Sequence, residues 1–320
     1  MSNYRKISDR IEELMVDNPR SASRLKWLNI VNAGKTEIDY LRRNYAFDLT
    51  HLRSASAAVS FQRPQIFRGG KYLFLILHFP TFKGGRIVAS EVDFFIGHGF
   101  LITAHNNSLK VLADFFNLGR KNPASLLAYS LESSAILLYE ILNVLINSCY
   151  PLLDENSISL TEIEDLIFDR EQKEAVEQIL NLRRNIINVR KIIQNHKNIF
   201  QKLLEIESSI VEKGAIKKYY ADLVEHSKRI WEILDNQKEM VEVLNNTNES
   251  LLNNQMTDIM KTLTIFSVIV FPLTLLAAIF GMNARYMPFV DQPWGFWVII
   301  GIMLIGCIGM LLFFRQKKWL

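Results

Sequence analysis

Only two cysteines, Cys149 and Cys307, occur in the 320 residues, which excludes a disulfide scaffold and any Cys-rich zinc module. A strong charge of one sign is missing too. The 37 Lys and Arg stand against 33 Asp and Glu, a net +4, without the concentrated basic face of a nucleic-acid binder. No P-loop, GxGxxG after a strand, HExxH, GxSxG or CxxC pair is present, so an enzyme has no motif to rest on. His98 and His105 lack a Cys or carboxylate at metal-ligand spacing and read as turn or surface histidines. Glu162, Glu164, Asp165 and Asp169 read as a solvated helix face, and Cys307 as a small packing hydrophobe. Helix breakers are absent over one long stretch. After Gly214, neither glycine nor proline occurs before Pro272.

The last absence is of charge, and it is local. Residues 1–261 hold 33 basic and 32 acidic side chains, whereas residues 262–320 hold only Arg285, Asp291, Arg315, Lys317 and Lys318. Thr262–Ala284 and Gln292–Phe314 are uncharged runs of 23 residues each. As helices each reaches roughly 34 Å, enough for a hydrocarbon core of about 30 Å. Two buried core helices are the competing reading, but such helices seldom run so far without a charge. Lys261 precedes the first run and Arg315, Lys317 and Lys318 follow the second, which places both outer flanks in the cytoplasm and residues 285–291 outside. Trp294, Phe296, Trp297 and Trp319 suit interfacial anchors. Met1–Asp17 is charged and without an apolar run, so no secretory leader is expected and the body is cytoplasmic.

The body begins as mixed α/β. Arg24–Val31 is β-prone, and Tyr72–Phe79 reads as a strand buried on both faces and ended by Pro80. Lys83-Gly-Gly-Arg86 is turn-like, and Val92–Gly97 with Phe100–Ala104 reads as a hairpin around Gly97-His-Gly99. From Pro123 helical periodicity dominates, over Ser125–Cys149, Ser159–Phe168 and Glu171–Glu207. The breaker-free stretch predicts one helix from about Ala215 to Phe280, roughly 100 Å long. The alternative is a helix broken once in the Asn-rich segment Asn245–Gln255. So long a helix needs neighbours along its length.

Two helices of one chain cannot enclose a pore, so transport would require an oligomer with one helix per subunit on the axis. Ser250, Asn253, Thr257, Met260, Thr264, Ser267, Phe271 and Thr274 follow alternating spacings of three and four and share one helix face. In a symmetric bundle that face presents rings of hydroxyl and amide groups, with apolar rings at Met260 and Phe271 that gate by dewetting. The competing reading has each Ser or Thr bonded to its own backbone carbonyl four residues back. Pro272 is a candidate hinge. The run ends in Phe280-Gly-Met-Asn283, where Gly281 permits a tight helix end and Asn283 would place amide oxygens at the outer mouth. Mg²⁺ sheds water reluctantly, and neutral carbonyl acceptors hold the hydrated ion through its waters without trapping it.

Gly-Met-Asn at the end of the penultimate apolar helix, a short loop, and a last span with a basic tail resemble the CorA family of magnesium and divalent-metal channels. The resemblance extends to Met260-Lys-Thr-Leu-Thr264, Phe271-Pro-Leu-Thr274, Met287-Pro288, Lys317-Lys-Trp-Leu320, Tyr72–Pro80 and Glu91-Val-Asp-Phe-Phe95. It implies an α+β cytoplasmic domain with a long stalk helix and a two-helix transmembrane hairpin, assembled as a funnel-shaped homopentameric channel. The implied division is an α/β domain over 1–150, a helical and stalk domain over 151–261, and spans over 262–320, pore-lining at about 262–283 and outer at 292–314. It further implies Gly281, Met282 and Asn283 as selectivity element, Asn283 touching the ion through its waters. Pore-facing positions fall at Thr257, Met260, Leu263, Ser267, Phe271 and Thr274, with Leu263 where the heptad face has Thr264. Lys261, Arg315, Lys317 and Lys318 form the basic ring at the inner mouth, and Asp222 is the implied regulatory metal contact.

The sequence departs from the family pattern at several points. Phe289 stands where many members are acidic, leaving Asp291 as the loop carboxylate opposite Arg285; Thr257 stands for a common Asn, and Asn246 for an expected acid. The expectation is an Mg²⁺ uptake channel of the cytoplasmic membrane with both termini inside, lipid and divalent ions as partners, no nucleic acid, and no cofactor beyond the transported Mg²⁺, Co²⁺, Ni²⁺ or Zn²⁺. A zinc, cobalt or nickel transporter of the same family, proton-coupled or not, is the alternative. A membrane-anchored scaffold or receptor is the rival of another class.

Overall fold

The structure, a computed structural model, describes residues 4–17, 24–58, 62–121, 133–206, 210, 215–282, 292–317 and 319. It forms two compact units, residues 1–244 and 245–320. The first is built on a seven-stranded sheet of β1 (Tyr4–Lys6), β2 (Ile11–Asp17), β3 (Arg24–Val31), β4 (Gln65–Arg68), β5 (Tyr72–Lys83), β6 (Arg86–Gly97) and β7 (Phe100–His105). Their spatial order is β1-β2-β3-β7-β6-β5-β4. All neighbours are antiparallel except β3 and β7, which run parallel with Lys26 opposite Phe100 and Val31 opposite His105.

Both hairpins expected from the glycines form. Gly84 and Gly85 have φ of 58° and 76°, the left-handed pair that a two-residue turn between Lys83 and Arg86 requires. In the His98-Gly99 turn between β6 and β7, Gly99 alone is left-handed, with φ 76°. One boundary differs from expectation: Pro80 does not end β5, which continues to Lys83 with Pro80 opposite Ala89. The reason is positional. Counting from the hairpin, Pro80 falls at a non-hydrogen-bonded pair with β6, so its missing N–H is needed only on the other side. There β4 has already stopped pairing, at Ile76.

Alternation along the strands makes two buried faces. Leu28, Ile30, Phe74, Ile76, Phe95, Ile102 and Ala104 point towards α1 (Lys35–Asn44) and α2 (Leu49–Ser54), meeting Leu41, Phe47 and Leu52. On the other face Trp27 packs against Phe115 and Phe116 of α3 (Lys110–Lys121). α4 (Ser134–Asn147) and α5 (Tyr150–Phe168) follow. The periodic stretch expected over Glu171–Glu207 is two helices, α6 (Gln172–Ile193) and α7 (His196–Glu205). His196 is tied there, its Nε2 donating to the His78 carbonyl at 2.7 Å and its ring lying on Phe79. Residues 125–132 of the helix expected from Ser125 lie outside the described residues.

α8 (Ala215–Phe280) is one helix of 66 residues, unbroken through Asn245–Gln255. Within the first unit its early turns are fastened by polar contacts. Tyr220 Oη donates to the Ala135 carbonyl at 2.8 Å, Gln237 Nε2 donates to the Leu153 carbonyl at 2.7 Å, and Arg190 pairs with Asp235. The second unit holds the rest of α8 and α9 (Gly295–Gln316).

Among the described residues three helical stretches are long and apolar enough to span a bilayer: Ser134–Phe168, Ile216–Phe280 and Gly295–Gln316. Burial separates them. The most apolar window of the first is 56% buried inside the fold, against 6% and 0% for the others. Ser134–Phe168 is therefore a core pair of helices, and its Glu140 and Asp154 interrupt the apolar character. In the two C-terminal stretches the most apolar windows are left almost wholly unburied, which suits a lipid environment.

Candidate functional site

The residues singled out on α8 belong to a helix with one sheltered stripe. Ile265 is buried, and Ile269, Leu273, Leu276 and Phe280 are half-buried at spacings of three and four. Thr257, Met260, Leu263, Thr264, Phe271, Thr274, Gly281 and Met282 are exposed, and Ser267 is half-buried at the boundary. Phe271 at 72% and Met260 at 56% exposure put two large apolar groups on this open surface. Leu263 and Thr264 are both open in a single chain.

Four hydroxyls of the row, at Thr257, Thr264, Ser267 and Thr274, donate to their own backbone four residues back. Thr257 Oγ1 reaches the Asn253 carbonyl at 2.8 Å, Thr264 the Met260 carbonyl at 2.7 Å, Ser267 the Leu263 carbonyl at 2.8 Å and Thr274 the Val270 carbonyl at 2.8 Å. Local back-bonding and lining are thus compatible. A hydroxyl has one proton and two lone pairs, so committing the proton to the helix leaves an acceptor-only oxygen. Such an oxygen meets the water hydrogens of a hydrated cation and offers no donor to an anion.

Pro272 is accommodated inside α8 without ending it. The helix closes at Gly281, whose N–H donates to the Ala277 carbonyl at 2.9 Å. A Cβ on Gly281 would sit 3.1 Å from that same oxygen, closer than side chains normally approach. Asn283 and Lys318 lie outside the described residues. Lys261, Arg315 and Lys317 are exposed, with Lys261 Nζ donating to Asp258 Oδ1 at 3.1 Å. Asp222, in the first unit, accepts from Tyr139 Oη at 3.0 Å and lies 3.7 Å from His226 Nε2. Burial first, and then this bond, raise the Tyr139 hydroxyl above its ordinary range.

Among the described residues no three His, Cys, Asp or Glu side chains gather as a metal-binding group. Glu162, Glu164, Asp165 and Asp169 are exposed on α5 and its end, as a solvated face should be. His105 corrects the surface reading: it is buried, because it ends a central strand. Asn107 N–H donates to its Nδ1 at 3.0 Å, so Nε2 carries the proton shared with Asn29 Oδ1 at 2.9 Å. Burial pushes its pKa down to about 4, and the ring is a neutral link in a core network with Thr103 and Trp27. Sequence reasoning passed over Asp93, a buried carboxyl in β6. The signal was there, an acid inside the apolar run Val92–Gly97.

Residues 22–316 match the family described as CorA-like Mg²⁺ transporter protein. The chain belongs to the CorA family. It is 25% identical over 304 residues to the cobalt/magnesium transport protein CorA of Thermotoga maritima, covering 94% of this chain and 85% of that one. To the cobalt/magnesium transport protein CorA of Methanocaldococcus jannaschii it is 23% identical over 298 residues, 93% of this chain and 92% of that one. The fold superposes on the complete structure of the Methanocaldococcus jannaschii CorA magnesium transporter with a TM-score of 0.83 at 21% identity, covering 97% and 96% of the two chains. As a CorA-family protein it is a divalent-cation transporter of membranes and not an enzyme. The soluble α/β unit, long helix and C-terminal apolar helices are the architecture of the full-length CorA chain.

Proposed function

We propose that five copies of this chain form a channel that passes Mg²⁺ into the cytoplasm through a pore lined by the open face of α8. The observation that supports it is the uncharged polar row on the apolar, unburied part of α8, with the hydroxyl protons of Thr257, Thr264, Ser267 and Thr274 turned back to the backbone. Rings at Thr257, Thr264 or Leu263, Ser267 and Thr274 accept hydrogens from the ion's own water shell. Met260 and Phe271 form narrow apolar rings that a hydrated ion crosses only when the bundle widens. Gly281, Met282 and Asn283 form the outer selectivity ring, Asn283 holding the ion through its waters, and Pro272 is the hinge. Two charges moving through 100 mV release about 4.6 kcal/mol, so uptake needs no nucleotide site.

The spans are 262–283 and 292–314, with both termini cytoplasmic and the loop between them outside. Lys261, Arg315, Lys317 and Lys318 ring the inner mouth, where positive charge opposes cation accumulation. Asp222 supplies a regulatory cation contact that closes the pore as internal Mg²⁺ rises; equal leak at zero and high internal magnesium would refute this. The deciding experiment is flux into proteoliposomes with wild type and Asn283→Ala, using Mg²⁺, Co²⁺, Ni²⁺ and Zn²⁺ with and without a pH gradient. Mg²⁺ uptake that falls at least tenfold in Asn283→Ala is the expected result. Equal flux in both proteins overturns the pore assignment, and Zn²⁺ flux that needs the pH gradient replaces the magnesium reading with the proton-coupled one.

A further inference from the structure

The first unit contains a cavity of about 160 Å³ far along the sequence from the pore row, lined among others by Asn32, Ala33, Glu91, Asp93 and Asn106. Its position follows from topology. β3 and β7 are the parallel pair, and the cavity opens where both end, after Val31 and His105. The chain leaves β3 for α1, on the face where Leu41 meets Leu28 and Ile30. It leaves β7 for α3, on the opposite face where Phe115 and Phe116 meet Trp27. Strands that part company in this way leave a crevice at their carboxyl ends, the general ligand position of open α/β sheets. Two backbone bonds frame the crevice: Asn32 N–H to the His105 carbonyl at 2.8 Å, and Ala57 N–H to the Ala33 carbonyl at 2.9 Å. Asn32 holds φ 52°, a left-handed conformation unusual for a residue with a side chain.

The cavity's chemistry is acidic and incomplete. Glu91 and Asp93 are two apart on β6 and point to the same face. Glu91 Oε2 is occupied, accepting from Gln62 N–H at 2.7 Å and lying 3.0 Å from His78 Nε2. Asp93 is only 4% exposed, and its Oδ1 has no hydrogen-bond partner among the described residues. Leaving a buried acceptor unsatisfied costs on the order of 1–3 kcal/mol. Desolvation, and then the neighbouring Glu91, hold the Asp93 carboxyl well above the usual carboxylate range. A cation in the cavity would satisfy the orphaned oxygen and offset both effects.

We propose that this crevice is a further cation site, separate from the pore and from Asp222, in which Asp93 and Glu91 hold a hydrated divalent cation. The lining also includes His105, whose two ring nitrogens are taken by Asn107 N–H and Asn29, and the amides of Asn32 and Asn106, so two carboxylates with neutral amide oxygens leave positions for water around the ion. A cavity of about 160 Å³ leaves room for several waters beside an ion, and Mg²⁺ binds while keeping part of its water shell. The test uses the full chain in detergent, Mn²⁺ as a paramagnetic probe and Mg²⁺ as competitor. Counting bound Mn²⁺ by electron paramagnetic resonance, Asp93→Asn is expected to lose one equivalent per chain, or to bind it at least tenfold more weakly. The Mg²⁺-induced rise in melting temperature is expected to shrink with it. Asparagine keeps the shape and removes the charge. Glu91→Gln reads the same loss if Asp93→Asn fails to fold. The Asp93-dependent equivalent is expected to survive in Asn283→Ala, whatever that variant does to flux. Equal Mn²⁺ stoichiometry and affinity in wild type and both carboxylate variants would overturn the proposal and leave Asp93 as a protonated core acid.

Discussion

His105 and His196 show what burial does to a titratable side chain in this protein. Both are held neutral, with pKa values pushed down to about 4 by desolvation. An unfolded histidine titrates near 6.5. Because the folded value is the lower one, the unfolded chain takes up protons between pH 6.5 and 4 that the folded chain refuses. Stability therefore falls as pH falls through that window, by up to roughly 3 kcal/mol for each ring. Melting of the full chain, followed by circular dichroism from pH 7.5 to 4.5, is expected to show this loss. His105→Gln is expected to flatten the slope relative to the parent. The comparison with a variant matters because Asp93, with its raised pKa, acts in the opposite sense. Neither histidine's burial was legible from spacing alone. His105 looked like a hairpin residue, and only the insertion of β7 between β3 and β6 put it in the core.

At the scale of the element, α8 carries the functional expectation. The absence of Gly and Pro between Gly214 and Pro272 predicted its length, the helix runs unbroken through the Asn-rich segment, and neighbours fasten its early turns. Its sheltered and open faces give a sharp test. With Cys307 replaced by Ser, single cysteines at Met260, Ser267 and Thr274 are expected to let a water-soluble thiol reagent block flux. Cysteines at Ile265 and Ile269, on the sheltered stripe, are expected to leave flux unblocked. The native Cys149 will not interfere, since burial pushes its thiol up to about 12. Running positions 263 and 264 in the same series assigns the phase of the lining face. A second element-level prediction concerns the helix end: Gly281→Ala places a methyl 3.1 Å from the Ala277 carbonyl oxygen and is expected to lower flux severalfold by shifting the Met282–Asn283 segment. The same proteoliposome uptake assay reads it.

For the whole molecule, the pore reading requires assembly. Light scattering of the purified chain is expected to give a protein mass of about 186 kDa, five times the 37.1 kDa chain. A monomer or dimer that still conducts would remove the proposed pore. Collapsing the membrane potential is expected to reduce Mg²⁺ uptake, because the potential supplies the drive. Exposed apolar groups such as Leu275, Leu304 and Ile305 give the second unit a surface suited to lipid and to association.

The sequence by itself determined the features that depend on local order along the chain. Charge thinned to five side chains over 59 residues marks two stretches apolar enough to cross a membrane, missing breakers mark the long helix, glycines mark the hairpins, and Gly281-Met282-Asn283 with its flanking segments carries the family resemblance. These signals are periodic or contiguous, so one chain read in order suffices. Tertiary structure decided what depends on residues distant in sequence. It showed Ser134–Phe168 to be core although its composition alone qualifies it as a span. Pro80 sits within a strand because β4 ends early, and His105 is a buried hydrogen-bond link. Asp93 came to line a crevice because the connections after β3 and β7 leave the sheet on opposite faces. Burial and pairing are relations between segments, and periodicity within a single segment does not contain them.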